Sequence, residues 1–281
     1  MSTKKSIGDE TLIRLWSKGL EDRFDERSCL RKRVPSGYGP DYNMVYCPKR
    51  ESGYRERGNE KAKCPFDDMK RKTIWLGDYG AISNPFPFAE HHRVIVSKKH
   101  SSDMRLEDFL FGLRLAPLTS DVLIFSTKGS GAGIPQHFHF QSFRAEMPLI
   151  DAETEMLCER GGMFAERVSF PSYAIRFSGP GLEKNAKKIF GFFSKAALPF
   201  NLVFAEGSVF YFPRKAECPP GEDGWRFGAC ELSGFLVFRD QEKFDVLGTE
   251  KIGSLMQSVC PGPKERAGLE KSLAKAMGAG R

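Results

Sequence analysis

The stretch "GSGAGIPQHFHFQ", residues 129–141, places three glycines in its first five positions and then spaces two histidines and a glutamine by phenylalanines. On a strand, whose side chains alternate with period two, His137, His139 and Gln141 fall on one face, and Phe138 and Phe140 fall on the other. Three polar groups then face a site while two aromatic rings anchor the strand in a core. The preceding glycines let backbone N–H groups come close to an anion. Read alone, the stretch is open to three interpretations: a metal-binding tract, a buried strand or a reactive centre.

All five histidines, His91, His92, His100, His137 and His139, lie between residues 91 and 139 of a 281-residue chain. Polar filler would be scattered, so the concentration points to a site. A neutral imidazole attacks phosphorus well when one ring nitrogen is fixed as a donor and the other is presented. Backbone N–H groups from the glycine stretch would stabilise charge on the non-bridging oxygens. No acid stands beside the motif, which suits a leaving group that is itself a phosphate and needs no strong protonation.

The rest of the chain bounds this reading. Forty-three basic residues against 36 acidic give a formal charge of +7, but the two signs are thoroughly mixed. That suits small phosphorylated ligands and, without a basic run or an RNA-binding signature, argues against nucleic acid. No apolar run approaches the roughly 20 residues of a membrane span, and the polar start "MSTKKSIGDETL" does not read as a secretory signal. Seven cysteines without a Cys-x-x-Cys pair read as reduced thiols in a cytoplasmic protein.

Hydrophobic spacing predicts a helix from about Ser6 to Leu30, a polar region with a short strand "NMVY", and then β runs "TIWL", "RVIVS", "DVLIFS" and "HFHFQSF". The helix "RLEDFLFGLRLA" lies among them. A helix-like stretch is expected around "DAETEMLCERGGMFAERV". A second β-rich set follows, "SYAIRFSG", "FNLVFAEG", "SVFYFPRK" and "CELSGFLVFRD", with the helix "LEKNAKKIFGFFSKAA" inserted. "HRVIVSKKH" and "SVFYFPRKAE" echo each other and hint at duplication. One domain is expected over 1–262, with a motif-bearing half at 73–147, a degenerate second half at 148–262 and an exposed helical tail at 263–281. Glu231, Arg214 and Lys215 read as solvated or edge charges, with Arg214 and Lys215 also able to reach a sugar phosphate.

"HFHFQ" resembles the His-x-His-x-Gln motif of the transferase branch of the histidine-triad superfamily. That branch includes galactose-1-phosphate uridylyltransferases, diadenosine tetraphosphate phosphorylases and GDP-hexose phosphorylases. "NPFPFAEHHRVIVSKKH", residues 84–100, is similar to the upstream strand pair of the same superfamily. "FNLVFAEGSVFYFPRK", "CELSGFLVFRDQEKF" and "CPFDDMK" resemble segments of the GDP-L-galactose and GDP-D-glucose phosphorylases. The resemblance covers roughly residues 40–260.

It implies an α+β fold, with an antiparallel histidine-triad sheet, packed helices and two related halves in one compact unit. It implies His139 as the nucleophile of a covalent nucleotidyl-histidine intermediate, His137 as the residue orienting it, and Gln141 as holder of the transferred phosphate. Gln cannot ionise, so it binds a phosphoryl group without offering a proton to an attacking water. The resemblance further implies nucleotide contacts from Asn84, His92 and the loop Gly129, Ser130, Gly131 and Gly133, although the Asn usual at the head of that loop is replaced by Ser126 and Thr127.

The expected activity is nucleotidyl transfer from a nucleoside diphosphate sugar, or a related nucleotide, to inorganic phosphate or a sugar phosphate. The alternatives are a dinucleoside polyphosphate phosphorylase or hydrolase, and a non-catalytic nucleotide-binding protein. No cofactor is required. Cys64, Asp67, His100 and His137 are the only candidates for a zinc site, because the Cys-x-x-Cys pair of the uridylyltransferases is missing. No membrane partner is expected, and a homodimer stays open.

Overall fold

The computed structural model describes residues 20–48, 50, 64, 66, 73–222 and 225–278. Among the described residues, thirteen strands are arranged in two sheets: β1 (Leu30–Val34), β2 (Tyr42–Tyr46), β3 (Ile74–Leu76), β4 (Tyr79–Ser83), β5 (Glu90–Ser97), β6 (Val122–Ser126), β7 (His139–Arg144), β8 (Thr154–Arg160), β9 (Met163–Val168), β10 (Ile175–Ser178), β11 (Phe200–Ala205), β12 (Ser208–Pro213) and β13 (Phe235–Phe238). Ten of them form one continuous sheet in the order β3-β4-β5-β7-β6-β11-β12-β10-β9-β8, and every pairing in it is antiparallel. The helices among the described residues include α1 (Leu106–Leu115), α2 (Leu182–Ala196), α3 (Ala229–Leu232), α4 (Gln241–Val246), α5 (Thr249–Ser258) and α6 (Pro263–Met277). The fold is α+β, as the resemblance implies.

The motif strand β7 lies between β5 and β6, with Gln141 opposite Val94 on one side and Ile124 on the other. Its apolar face is fixed by Phe138 and Phe140, which are 2 % and 0 % exposed. Below it α1 can press close because position 112 is glycine; a Cβ there would stand 2.9 Å from the Phe204 ring. The two stretches of sequence join where β6 pairs with β11, and Ser126 faces Asn201 at the end of that register. A second sheet, β1-β2-β13, pairs β13 parallel to β2. It thereby ties the late chain to the segment that leads into Arg50.

Several expectations are corrected. The predicted N-terminal helix lies outside the described residues as far as 19. From Leu20 onward the chain is irregular, with a 3₁₀ turn at Glu26–Ser28, and then enters β1. The helix-like stretch at 151–168 is the hairpin β8–β9, turned by Gly161 and Gly162, both with positive φ. Its acidic and apolar residues suit a helix locally, but the glycine pair breaks the run and cross-strand pairing decides it. The expected tail is a packed helix, α6, with Leu269, Leu273 and Met277 buried at 8 %, 0 % and 1 % exposure. Cys29 and Cys47 form a disulfide with a Cα–Cα distance of 4.6 Å. They stand at the end of the β1–β2 register, beside Leu30 and Tyr46, a neighbourhood that their spacing in sequence does not reveal.

Candidate active site

His139 begins β7 and is partly exposed on the cleft side of the sheet. Its Nδ1 lies 2.8 Å from the backbone carbonyl of His137. A carbonyl only accepts, so Nδ1 carries the proton and the lone pair of the neutral ring is on Nε2. Phe66 packs beside the ring at a centroid distance of 5.3 Å.

The His137 side chain turns elsewhere. Its Nε2 lies 2.9 Å from the Ser97 carbonyl, which leaves the Nδ1 lone pair facing Cys64 Sγ at 3.3 Å. The ring of His100 stands 4.6 Å away, edge to face. His137 therefore touches His139 through its main chain, while its imidazole belongs to a Cys64–His100–His137 cluster whose donor atoms lie within 4.8 Å of one another. Sulfur and nitrogen donors at that spacing, with the far nitrogen of His137 pinned by a carbonyl, fit a zinc-type cation. Asp67, the fourth candidate, lies outside the described residues.

His92 is buried beneath Gln141. The Phe88 N–H approaches its Nδ1 at 3.4 Å, which puts the proton on Nε2, and Gln141 Oε1 accepts it at 2.9 Å. Asn84 Nδ2 stands at the same 2.9 Å from Nε2, but it is itself a donor and does not accept that proton. Burial, reinforced by the nearby Arg50 charge, pushes the His92 pKa down to about 3, so the ring is neutral near pH 7. With its oxygen held by His92, Gln141 turns its NH₂ group toward the cleft. His91 is placed differently: it takes a positive φ at the β5 bulge and pairs with Asp121.

Two adjoining cavities meet at Gln141 and share Arg50, Gly131, Gln141 and Arg239. The first adds His139 and Asn84 among apolar neighbours, Phe66, Ile82, Phe86, Val94 and Ile134. The second is polar and adds Ser126, Trp225, Arg226 and Glu231. Trp225 Nε1 is buried there with no hydrogen-bond partner among the described residues. Glu231 is not a surface charge; it is 8 % exposed and accepts the Gly228 N–H at 2.8 Å. Burial pushes its pKa up.

The glycine loop is only partly in the cleft. Gly131 and Gly133 line the first cavity. Gly129, with φ +81°, abuts Pro199. Ser130 is wholly buried, and its hydroxyl donates to the carbonyls of Thr127 and Phe200, 2.8 and 2.9 Å away. The Gly131 N–H donates to Glu217 Oε1 at 3.2 Å, and Glu217 in turn pairs with Arg226. Sequence reasoning singled out neither Arg50, Arg226 and Arg239 at the cleft nor Asn201 beneath the loop. Arg239 directly after the apolar run "FLVF" was the one available signal.

Comparison with known proteins agrees with this architecture. Residues 61–144, which contain all five histidines, match the model of a domain family described as a domain of unknown function, DUF4922. No curated protein matches the chain. Among solved structures, yeast Ap4A phosphorylase Apa2 in complex with Ap4A is similar at 12% identity, over 92% of this chain and 98% of that one, with a TM-score of 0.64. The same yeast enzyme in complex with AMP is similar at 13% identity, over 90% of this chain and 94% of that one, with a TM-score of 0.57. The likeness shows that the chain shares its fold with that phosphorylase. Among the described residues no helix is long and apolar enough to cross a membrane.

Proposed function

We propose that the chain is a nucleotidyltransferase of the phosphorylase type, acting on a nucleotide joined through a pyrophosphate linkage to a second group. The observation that carries this reading is the hydrogen bond from His139 Nδ1 to the His137 carbonyl, 2.8 Å, which puts the imidazole lone pair on Nε2 of a ring that lines the cleft. That lone pair attacks the α-phosphorus. An N–P bond forms as the bridging P–O bond breaks, and the leaving group departs as a phosphate anion. In the second step an oxygen of inorganic phosphate or a sugar phosphate attacks the same phosphorus, breaks the N–P bond and returns the electron pair to Nε2.

The Gln141 NH₂ group, held by His92, donates to a non-bridging oxygen in both steps. The nucleoside lies in the apolar cavity beside Phe66, Ile82 and Phe86, and the leaving group lies in the polar cavity. Catalysis needs no metal. Cys64, His100 and His137 would hold a zinc-type cation that ties the residue-64 segment to the motif strand and supplies structural anchoring only.

A nucleoside diphosphate sugar is the preferred conjugate, since the polar cavity offers Glu231, Ser126 and Trp225 to hydroxyls as well as arginines to phosphate. A dinucleoside polyphosphate is the second reading. It is favoured by Arg50, Arg226 and Arg239 around that cavity and by the likeness to a phosphorylase whose structure holds Ap4A. Incubation with GDP-, UDP- and ADP-hexoses and with Ap4A, with and without inorganic phosphate, tests the proposal. Phosphate-dependent release of a nucleoside diphosphate is expected from at least one of them. No phosphate-dependent product from any conjugate would overturn it.

A further inference from the structure

The glycine loop rests on a buried polar assembly that comes from the second half of the chain. Arg214 follows directly after β12 and is 0 % exposed, against the expectation of a solvated charge. Its Nη1 donates to Asn201 Oδ1 and to the Phe227 carbonyl, both at 2.7 Å, and reaches the Ser130 carbonyl at 3.4 Å. Its Nη2 donates to the carbonyls of Ala216 and Glu217, at 2.9 and 3.4 Å. All five acceptors are neutral oxygens. Burial lowers the Arg214 pKa to about 10, so the guanidinium keeps its charge near pH 7.

Among the described residues Arg214 makes no hydrogen bond or ion pair with a carboxylate, and Glu231 and Glu217 attract it only at longer range. A cation buried in this way is a poor device for stability alone, because its desolvation cost is of the order of several kcal/mol and an apolar residue of similar volume often serves as well. What the arrangement gives is position. Asn201 is also 0 % exposed, and with its oxygen held by Arg214 its Nδ2 points at the loop. It donates to the Ser130 carbonyl and to Ser126 Oγ, both at 2.7 Å. The loop closes directly on the Phe227 backbone, and a Cβ on Gly131 would stand 2.7 Å from the Phe227 oxygen. Ser126 Oγ accepts from Asn201 and lies on the wall of the polar cavity. Its own proton is therefore directed away from Asn201.

We infer that Arg214 and Asn201 are positioning residues for the transfer: they hold the glycine loop in register with His139 and orient Ser126 so that its hydroxyl donates to the anionic group in the polar cavity. The inference rests on the nucleotidyl-transfer reading of the cleft. It assigns to the second half of the chain, through Asn201, the task of orienting a hydrogen-bond donor on the wall of the polar cavity.

The test uses the full chain and three variants, Arg214→Met, Arg214→Lys and Ser126→Ala. Amide hydrogen exchange reads the loop directly. Arg214→Met is expected to speed exchange at residues 129–133 at least about tenfold while β11 and β12 stay protected. Unchanged exchange at the loop overturns the brace whatever the activity. Kinetics on the best conjugate read the consequence: Arg214→Met and Ser126→Ala are each expected to lower kcat about tenfold or more with KM within about threefold, and Arg214→Lys to recover part of the loss.

If Arg214→Met does not fold, Ser126→Ala and Arg214→Lys carry the kinetic test, and Arg214→Lys carries the exchange test. Full kcat in the folded Ser126→Ala and Arg214 variants overturns the inference while leaving the proposed transfer intact. An inert wild-type chain whose loop is still loosened by Arg214→Met overturns the proposed transfer and the kinetic role together, and leaves only the mechanical brace.

Discussion

The two halves of the large sheet divide the work unequally. The half from β3 to β7 holds all five histidines, the cleft glutamine and the apolar cavity. The half from β8 to β12 has no histidine, yet it supplies Asn201 and Arg214 beneath the loop, and the segment that follows contributes Arg226, Glu231 and Arg239 to the polar cavity. Under the proposed transfer, bond-making is concentrated on one strand and its neighbour, while the other half sets where the loop stands and what the leaving group meets. The two halves meet where β6 pairs with β11, so a residue of the second half can reach the loop that leads to the motif strand.

This division makes the two halves respond differently to substitution. The largest effect belongs to the nucleophile. His139→Ala is expected to lower kcat/KM by about 10³-fold or more without abolishing nucleotide binding; turnover within tenfold of wild type would remove the covalent step from the mechanism. Gln141→Ala is next, with kcat down about 10- to 100-fold through loss of one donor to the transferred phosphate. A change confined to KM would mean that Gln141 binds the ground state only.

In the polar cavity Arg226→Ala is expected to raise KM for the conjugate about tenfold, in line with one charge-assisted hydrogen bond, while AMP binding, measured by calorimetry, stays the same. Weakened AMP binding would place Arg226 on the nucleoside side and blur the division.

The smallest effect concerns His92 and stability. Its folded-state pKa of about 3 lies below the ordinary value of 6.5. The unfolded chain therefore takes up the proton first, and the neutral ring's contribution is fully present above about pH 6.5. It is lost as pH falls from there toward 3, by an amount on the order of a few kcal/mol at most. Urea unfolding at pH 7, 5.5 and 4.5 should give a falling midpoint in wild type and a flatter dependence in His92→Gln. Equal slopes in the two proteins would contradict the burial argument.

How much of this was legible in the sequence depended on the range of the interactions. Period-two alternation located β6, β7, β11 and β12, and the buried face of "HFHFQ" followed from Phe138 and Phe140 alone. The hairpin at 154–168 read as a helix because Glu, Met, Leu and Ala favour one locally, and only pairing with β10 makes the strand visible. The chemical residues of the first half were readable because His is rare and clustered there. Arg214 and Asn201 were not, since a charged residue after a strand has the same appearance on a surface as in a brace. Only the β11–β6 register, which joins positions 75 residues apart, brings Asn201 to Ser126. Ser130 shows the reverse case: its place in a glycine-rich loop suggests ligand contact, and its hydroxyl is instead turned down to hold the loop.

Covalent transfer through His139 is tested most directly by mass spectrometry of the intact chain after brief incubation with nucleotide conjugates in the absence of phosphate, followed by mapping of the modified peptide. The expected result is a gain of one nucleoside monophosphate on the peptide that contains His139, discharged by added phosphate and absent in His139→Ala. Phosphate-dependent turnover with no adduct on that peptide, or an adduct that persists in His139→Ala, would contradict it.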